Sequence, residues 1–197
     1  PSLLSVIISE DFMFKSICSS LIILAFLAFQ NLSFAATINA ETEHTPDYKK
    51  IKWLNVGKAK LEILFFDIYK AQLYTEDGSF SGIQGPLKLH LTYYLDIDGE
   101  ELVDETKNQW QEMGIYQVTD QPWLEQLRLI FPDIKEDDSL TLILDKNSQG
   151  LLEHNNQLIH VFEGSEQLSK FFAIWLSKDS TRPELMRKLT KTTVAKN

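Results

Sequence analysis

The sequence predicts an α+β domain, a large and mostly antiparallel β-sheet with helices packed on one face, and three observations carry that expectation. Pro86 to Leu95 places Leu87, Leu89, Leu91 and Tyr93 in alternation with Lys88, His90, Thr92 and Tyr94, the period of a half-buried strand. The period then lengthens, and Val103, Thr106, Trp110 and Met113 fall on one side of a helix. After a second helical stretch, Ser139–Asp145 and Leu151–Val161 return to strand patterning. The composition agrees with this. A chain of 197 residues, 44% hydrophobic and 24% charged with eight Gly and six Pro, suits one domain and excludes collagen-like, low-complexity and broadly disordered classes.

Taken in order, residues 36–50 lack an apolar period and read as a flexible arm, and the domain spans 51–197. Strand patterning begins at Trp53. Leu61, Ile63, Leu64, Phe65, Phe66 and Ile68 form a dense apolar run that continues through Tyr69 to Tyr74, and Asp77-Gly78-Ser79 is turn chemistry. Asp98 with Glu101 three residues later predicts a capping box, and Gly114 ends that helix. Asp120 and Pro122 open a second helix with Trp123, Leu127, Ile130 and Phe131 inward, and Pro132 stops it. Asn155-Asn156 folds a hairpin. Ser165 starts a third helix carrying Leu168, Phe171, Phe172, Trp175 and Leu176. Thr181-Arg182-Pro183-Glu184 predicts a capping box with Pro in the first turn of a last helix. Phe65, Phe66, Trp110, Phe172 and Trp175 are core candidates.

The front of the chain reads differently. Met13-Phe14-Lys15 is a short positive start, Leu21–Phe29 is almost purely apolar, and Ser33-Phe34-Ala35-Ala36 supplies the small residues a signal peptidase reads. Residues 1–35 are therefore expected to be upstream residues plus a cleaved secretory signal, with Met13 as initiator. The apolar core is too short to span a bilayer, so no stable membrane insertion is expected after cleavage. Cleavage after Ala35 removes Lys15, Glu10, Asp11 and the single Cys18, leaving 18 basic against 26 acidic residues in a thiol-free, secreted or periplasmic domain. The full chain carries a formal charge of −9 without a basic run, which argues against nucleic acid and anionic membrane surfaces as partners.

Standard chemistry is missing from the sequence. There is no Gly-x-Ser-x-Gly elbow, and Gly57-Lys58-Ala59-Lys60 lacks the glycine spacing of a phosphate loop. Asp96-Ile97-Asp98-Gly99 has its glycine two positions early for a calcium loop, and Lys107 stands where the closing Glu belongs. A two-residue turn at Asn155-Asn156 pairs residue 160 with 151, which places His154 and His160 on opposite sides of the hairpin. His90 falls on the less apolar face of its strand. No metal site and no cofactor are expected.

Several segments resemble the chalcone isomerase fold. Gly57-Lys58-Ala59-Lys60-Leu61-Glu62-Ile63 followed by Tyr74-Thr75-Glu76 is similar to its opening hairpin. Trp110 to Tyr116 is similar to a helix end there, and Phe171 to Leu189 resembles the closing helices of the exported bacterial branch. The resemblance covers about residues 53–190. It implies an open-faced sandwich with an apolar cleft between sheet and helices. In the plant enzymes an arginine, a threonine, a tyrosine and an asparagine surround the reacting oxygens, and a late hydroxyl contacts substrate. Carried over, these fall at Lys60 (or Ala59), Tyr69, Asp98, Glu105 and Ala173. Two carboxylates oppose the oxyanion that cyclisation develops, and lysine lacks the planar fork of arginine.

The expected function is therefore a non-catalytic binder of a small apolar or carboxylate ligand such as a fatty acid. Lys60 with Tyr69 or Tyr74 would hold the carboxylate, and Trp110 and Ala173 would belong to the cleft. The alternative is an isomerase or lyase acting on a non-flavonoid substrate, with Glu105 or Asp98 as a base of raised pKa. A third reading is a scaffold that binds a protein partner.

Overall fold

The computed structural model describes residues 47–192. Six strands, β1 (Leu54–Ile63), β2 (Phe66–Thr75), β3 (Leu87–Tyr93), β4 (Ser139–Leu144), β5 (Gly150–His154) and β6 (Gln157–Phe162), pair in chain order as one antiparallel sheet. Helices α1 (Gly99–Glu112) and α2 (Gln121–Ile130) separate β3 from β4, and α3 (Glu166–Leu176) and α4 (Pro183–Thr190) follow β6. This is the expected α+β open-faced sandwich. The proposed leader (1–35) and most of the proposed arm (36–46) lie outside the described residues.

Alternation decides which face the helices cover. Leu87, Leu89, Leu91 and Tyr93 are buried while Lys88, His90 and Thr92 are only partly so. In register with them, Leu73, Ala71 and Tyr69 of β2 and Leu140, Leu142 and Leu144 of β4 face the same side. These meet Trp110, Leu127, Phe172 and Leu189 from the four helices in one core. Gly57 lets α4 settle on β1. A Cβ there would stand 2.3 Å from the carbonyl oxygens of Lys188 and Leu189, so only a bare Cα admits the last helical turn.

Among the described residues, the other face carries only a small cap. Asp47–Lys50, read in the sequence as the end of the arm, forms a 3₁₀ turn that buries Tyr48 against Ile143 and Leu151, and the Tyr48 hydroxyl donates to Glu153 at 3.0 Å.

The helix starts differ from the sequence reading in detail. Asp98 and Arg182 occupy the cap positions of α1 and α4, but neither accepts a side-chain capping bond, so these are not capping boxes. Ser165 does cap α3, accepting from the Leu168 N–H at 3.1 Å. The turn before α2 holds a buried ion pair. Asp120 is fully buried and accepts from the Gln117 N–H at 2.8 Å, from Gln167 at 3.0 Å, and from Lys170 at 3.1 Å on both oxygens.

The β5–β6 register overturns one expectation. A bulge between Leu152 and Glu153 pairs His160 with Leu152 instead of Leu151, so His154 and His160 share a side of the hairpin. His154 is held by Asp138 at 3.1 Å and His160 packs edge-on to Phe162. Among the described residues, no group of three His, Cys, Asp or Glu is placed to hold a metal ion.

Candidate ligand-binding cavity

Between the sheet and the helices lies a cavity of about 80 Å³. Leu89, Leu91, Leu140, Leu142 and Leu152 form its floor, and Phe171, Ile174 and Trp175 of α3 with Leu185 of α4 form its roof. The strand alternation that builds the core also aims these side chains at the gap. Leu61, Leu102 and Phe131 line the cavity while remaining partly exposed, which marks where it meets solvent.

Its polar groups are few and sit together. Glu105 and Thr106 are adjacent on α1 with Gln109 one turn later, Tyr69 comes from β2, Tyr93 from β3, and Arg182 is the residue at the cap position of α4. Gln109 donates to Glu105 at 2.7 Å and accepts from the Thr181 hydroxyl, so the α3–α4 connection is tied to α1 beside Arg182. Trp175 donates its indole N–H to the Tyr69 hydroxyl at 2.9 Å. Because an indole nitrogen only donates, that bond fixes the phenol oxygen as acceptor and leaves its own O–H to donate. Burial pushes the Tyr69 pKa up to about 12, against the Trp175 bond and the Arg182 charge, so the hydroxyl stays protonated. Among the described residues, the Arg182 guanidinium forms no ion pair.

The structure divides the residues singled out in the sequence. Tyr69 and Glu105 line the cavity, whereas Lys60, Tyr74, Asp98, Trp110 and Ala173 do not. Lys60 projects from the opposite face of β1 and pairs with Asp67 at 2.6 Å and Glu62 at 3.5 Å, its side chain nearly half exposed. Tyr74 also lies on the open face, with the Lys88 ammonium 4.6 Å from its ring centroid. Asp98 starts α1 at the edge of a separate acidic depression with Glu100, Glu101, Asp104 and Asp133. Trp110 is core: its N–H donates to the Lys170 carbonyl at 3.0 Å and its ring stacks on Trp123. Ala173 precedes two cavity residues, Ile174 and Trp175, without being one.

Arg182, like Thr106 and Gln109, lines the cavity but is not among the site residues expected from the sequence. Its signal was present, an arginine held outside helical geometry by the following Pro183, between two apolar helical segments.

Fold and site together define an α+β open-faced sandwich with an apolar interior cavity and a cation at its rim. No family model matches the chain. An uncharacterized protein of Haemophilus influenzae is 25% identical over 140 residues, 69% of this chain and 69% of that protein. Among solved structures, a fatty-acid binding protein of Arabidopsis thaliana superposes with a TM-score of 0.50 at 11% identity, covering 68% of this chain and 86% of that one. That likeness is one of fold. Among the described residues, no helix is long and apolar enough to cross a membrane.

Proposed function

We propose that this protein is an exported, non-catalytic carrier of an apolar carboxylate such as a fatty acid, with the carboxylate at Arg182 and Tyr69 and the tail between the sheet and α3. The observation that carries this reading is the pairing of a guanidinium without an ion partner among the described residues with a leucine-lined cavity. A guanidinium presents two parallel donors to a carboxylate, and the Tyr69 O–H can supply a third. The structural neighbour named for fatty-acid binding supports the same reading. At about 80 Å³ the cavity is below the ~300–1,000 Å³ of drug-sized ligand sites. The tail therefore enters by parting the half-buried Leu61, Leu102 and Phe131 at the rim.

Titration calorimetry with a long-chain carboxylate and its matching alcohol tests this. Arg182→Met should weaken the acid about tenfold, the ~1.4 kcal/mol of one charge-assisted contact, and leave the alcohol unchanged. Glu105→Gln should tighten the acid, since it removes a like charge lining the same cavity. Equal losses for acid and alcohol in Arg182→Met would make Arg182 structural, and no binding of either ligand would overturn the carrier reading.

One observation favours a second reading. Glu105 is the carboxylate that lines the apolar cavity, the place a general base of an isomerase or lyase would occupy. A Glu105→Gln variant that binds the carboxylate no more tightly than the native protein would turn attention to it.

A further inference from the structure

Among the described residues, two two-residue hairpin turns are built on left-handed backbone, and they are chemically opposite. The β5–β6 turn uses Asn155 (φ 50°) and Asn156 (φ 65°), residues that tolerate this conformation. The β1–β2 turn uses Leu64 (φ 48°) and Phe65 (φ 78°), residues that avoid it. Among the described residues, no packing offsets that choice, because these side chains are exposed. Leu64 is 58% exposed, Phe65 95% and Phe66 55%, so the hairpin presents three consecutive large apolar groups to solvent.

Where this tip sits indicates what it is for. Leu61 and Ile63 line the cavity just before the turn, and Ile68 and Tyr69 line it just after. Cavity wall and apolar tip are thus parts of one hairpin, with Leu61 and Ile63 leading from the cavity to the turn. Behind the tip, Lys60 pairs with both Asp67 and Glu62, so the stem carries one cation against two carboxylates. Three side chains on a convex end fall short of the ~1,200 Å² or more that a stable protein interface buries. They suit a fluid apolar phase, which needs no matching surface.

We infer that the Leu64-Phe65-Phe66 tip dips into the interfacial region of a lipid bilayer, holding the cavity rim against the membrane so that an apolar ligand passes between them without crossing water. This rests on the carrier function proposed above. Contact is peripheral and apolar; with a chain charge of −9 it does not depend on anionic lipid.

Phe65→Trp places a reporter at the tip. Vesicles of phosphatidylcholine brominated along the acyl chains should quench its added fluorescence beyond the quenching seen with the native tryptophans. The second variant, Leu64→Asn with Phe65→Gly, gives the turn residues its backbone prefers and should melt no lower than the native protein. It should take up a fluorescent long-chain carboxylate from phosphatidylcholine vesicles about tenfold more slowly, the signature of a lost apolar contact. Its affinity for the same carboxylate added in water should be unchanged. Absent quenching at position 65, or equal uptake rates, would overturn the inference while leaving the carrier function intact. Loss of a homodimer in the double variant on sedimentation would overturn it in favour of a second copy. Quenching without any carboxylate binding would instead remove the carrier function and keep the membrane contact.

Discussion

Trp110→Ala is expected to destabilise the protein by about 4 kcal/mol, within the ~3–5 kcal/mol of buried aromatic truncations. Trp110 has no exposed surface, and it joins α1 to two other helices. Its ring stacks on Trp123 of α2 at 5.5 Å between centroids, and its N–H reaches the Lys170 carbonyl of α3 at 3.0 Å. Alanine removes the ring from the middle of three helices and strips that carbonyl of a partner. Trp110→Phe keeps most of the volume and loses only the N–H, so about 1–2 kcal/mol is expected. Urea denaturation of both variants checks the pair, and a loss below about 1 kcal/mol for the alanine would contradict the packing described.

Asp120→Ala is expected to cost about 3–5 kcal/mol, the usual result of breaking a buried ion pair from one side. The carboxylate is buried, and Lys170 is almost so. Removing Asp120 leaves that ammonium with Glu166 at 3.0 Å near the surface, and it leaves the Gln117 N–H and the Gln167 amide without their acceptor. Removing both charges, as Asp120→Ala with Lys170→Met, should recover part of the loss because no uncompensated charge remains inside. The pH dependence has a definite sign. Burial alone would raise the Asp120 pKa, but the Gln117 N–H, Gln167 and Lys170 outweigh it and hold the carboxyl below its ordinary value. A depressed carboxyl stabilises the fold above its unfolded pKa of about 4, and the contribution disappears as the pH falls through the lower folded value. Asp120→Ala should therefore flatten the fall in stability on the acid side and leave the neutral range parallel to the native protein. An unchanged acid slope would contradict the pair.

Most of the sheet and every helix were legible in the residues. The β3 alternation placed Leu89 and Leu91 inside, and the Val103, Thr106, Trp110 spacing set the inner face of α1. What pattern alone missed were features set by single-residue offsets. Leu64, Phe65 and Phe66 are as apolar as any core stretch, yet the turn falls on them and they face water. The bulge at Leu152/Glu153 adds one residue to β6 and reverses the relation of His154 to His160. The site suffered from the same cause. Lys60 and Leu61 are neighbours in sequence, but a pleated strand sends one to the open face and the other to the cavity. Arg182 reaches the cavity only because α4 folds back over Gly57, a contact between residues far apart in the chain.

The position of a bound ligand tests the central claim most directly. A crystal structure with a long-chain carboxylate brominated at its far end locates the tail by anomalous scattering and the head by its density. The carboxylate should lie within hydrogen-bond reach of Arg182 and Tyr69, with bromine among Leu89, Leu142 and Leu152. A carboxylate at Lys60 on the open face, or bromine at the rim with the head buried, would contradict it.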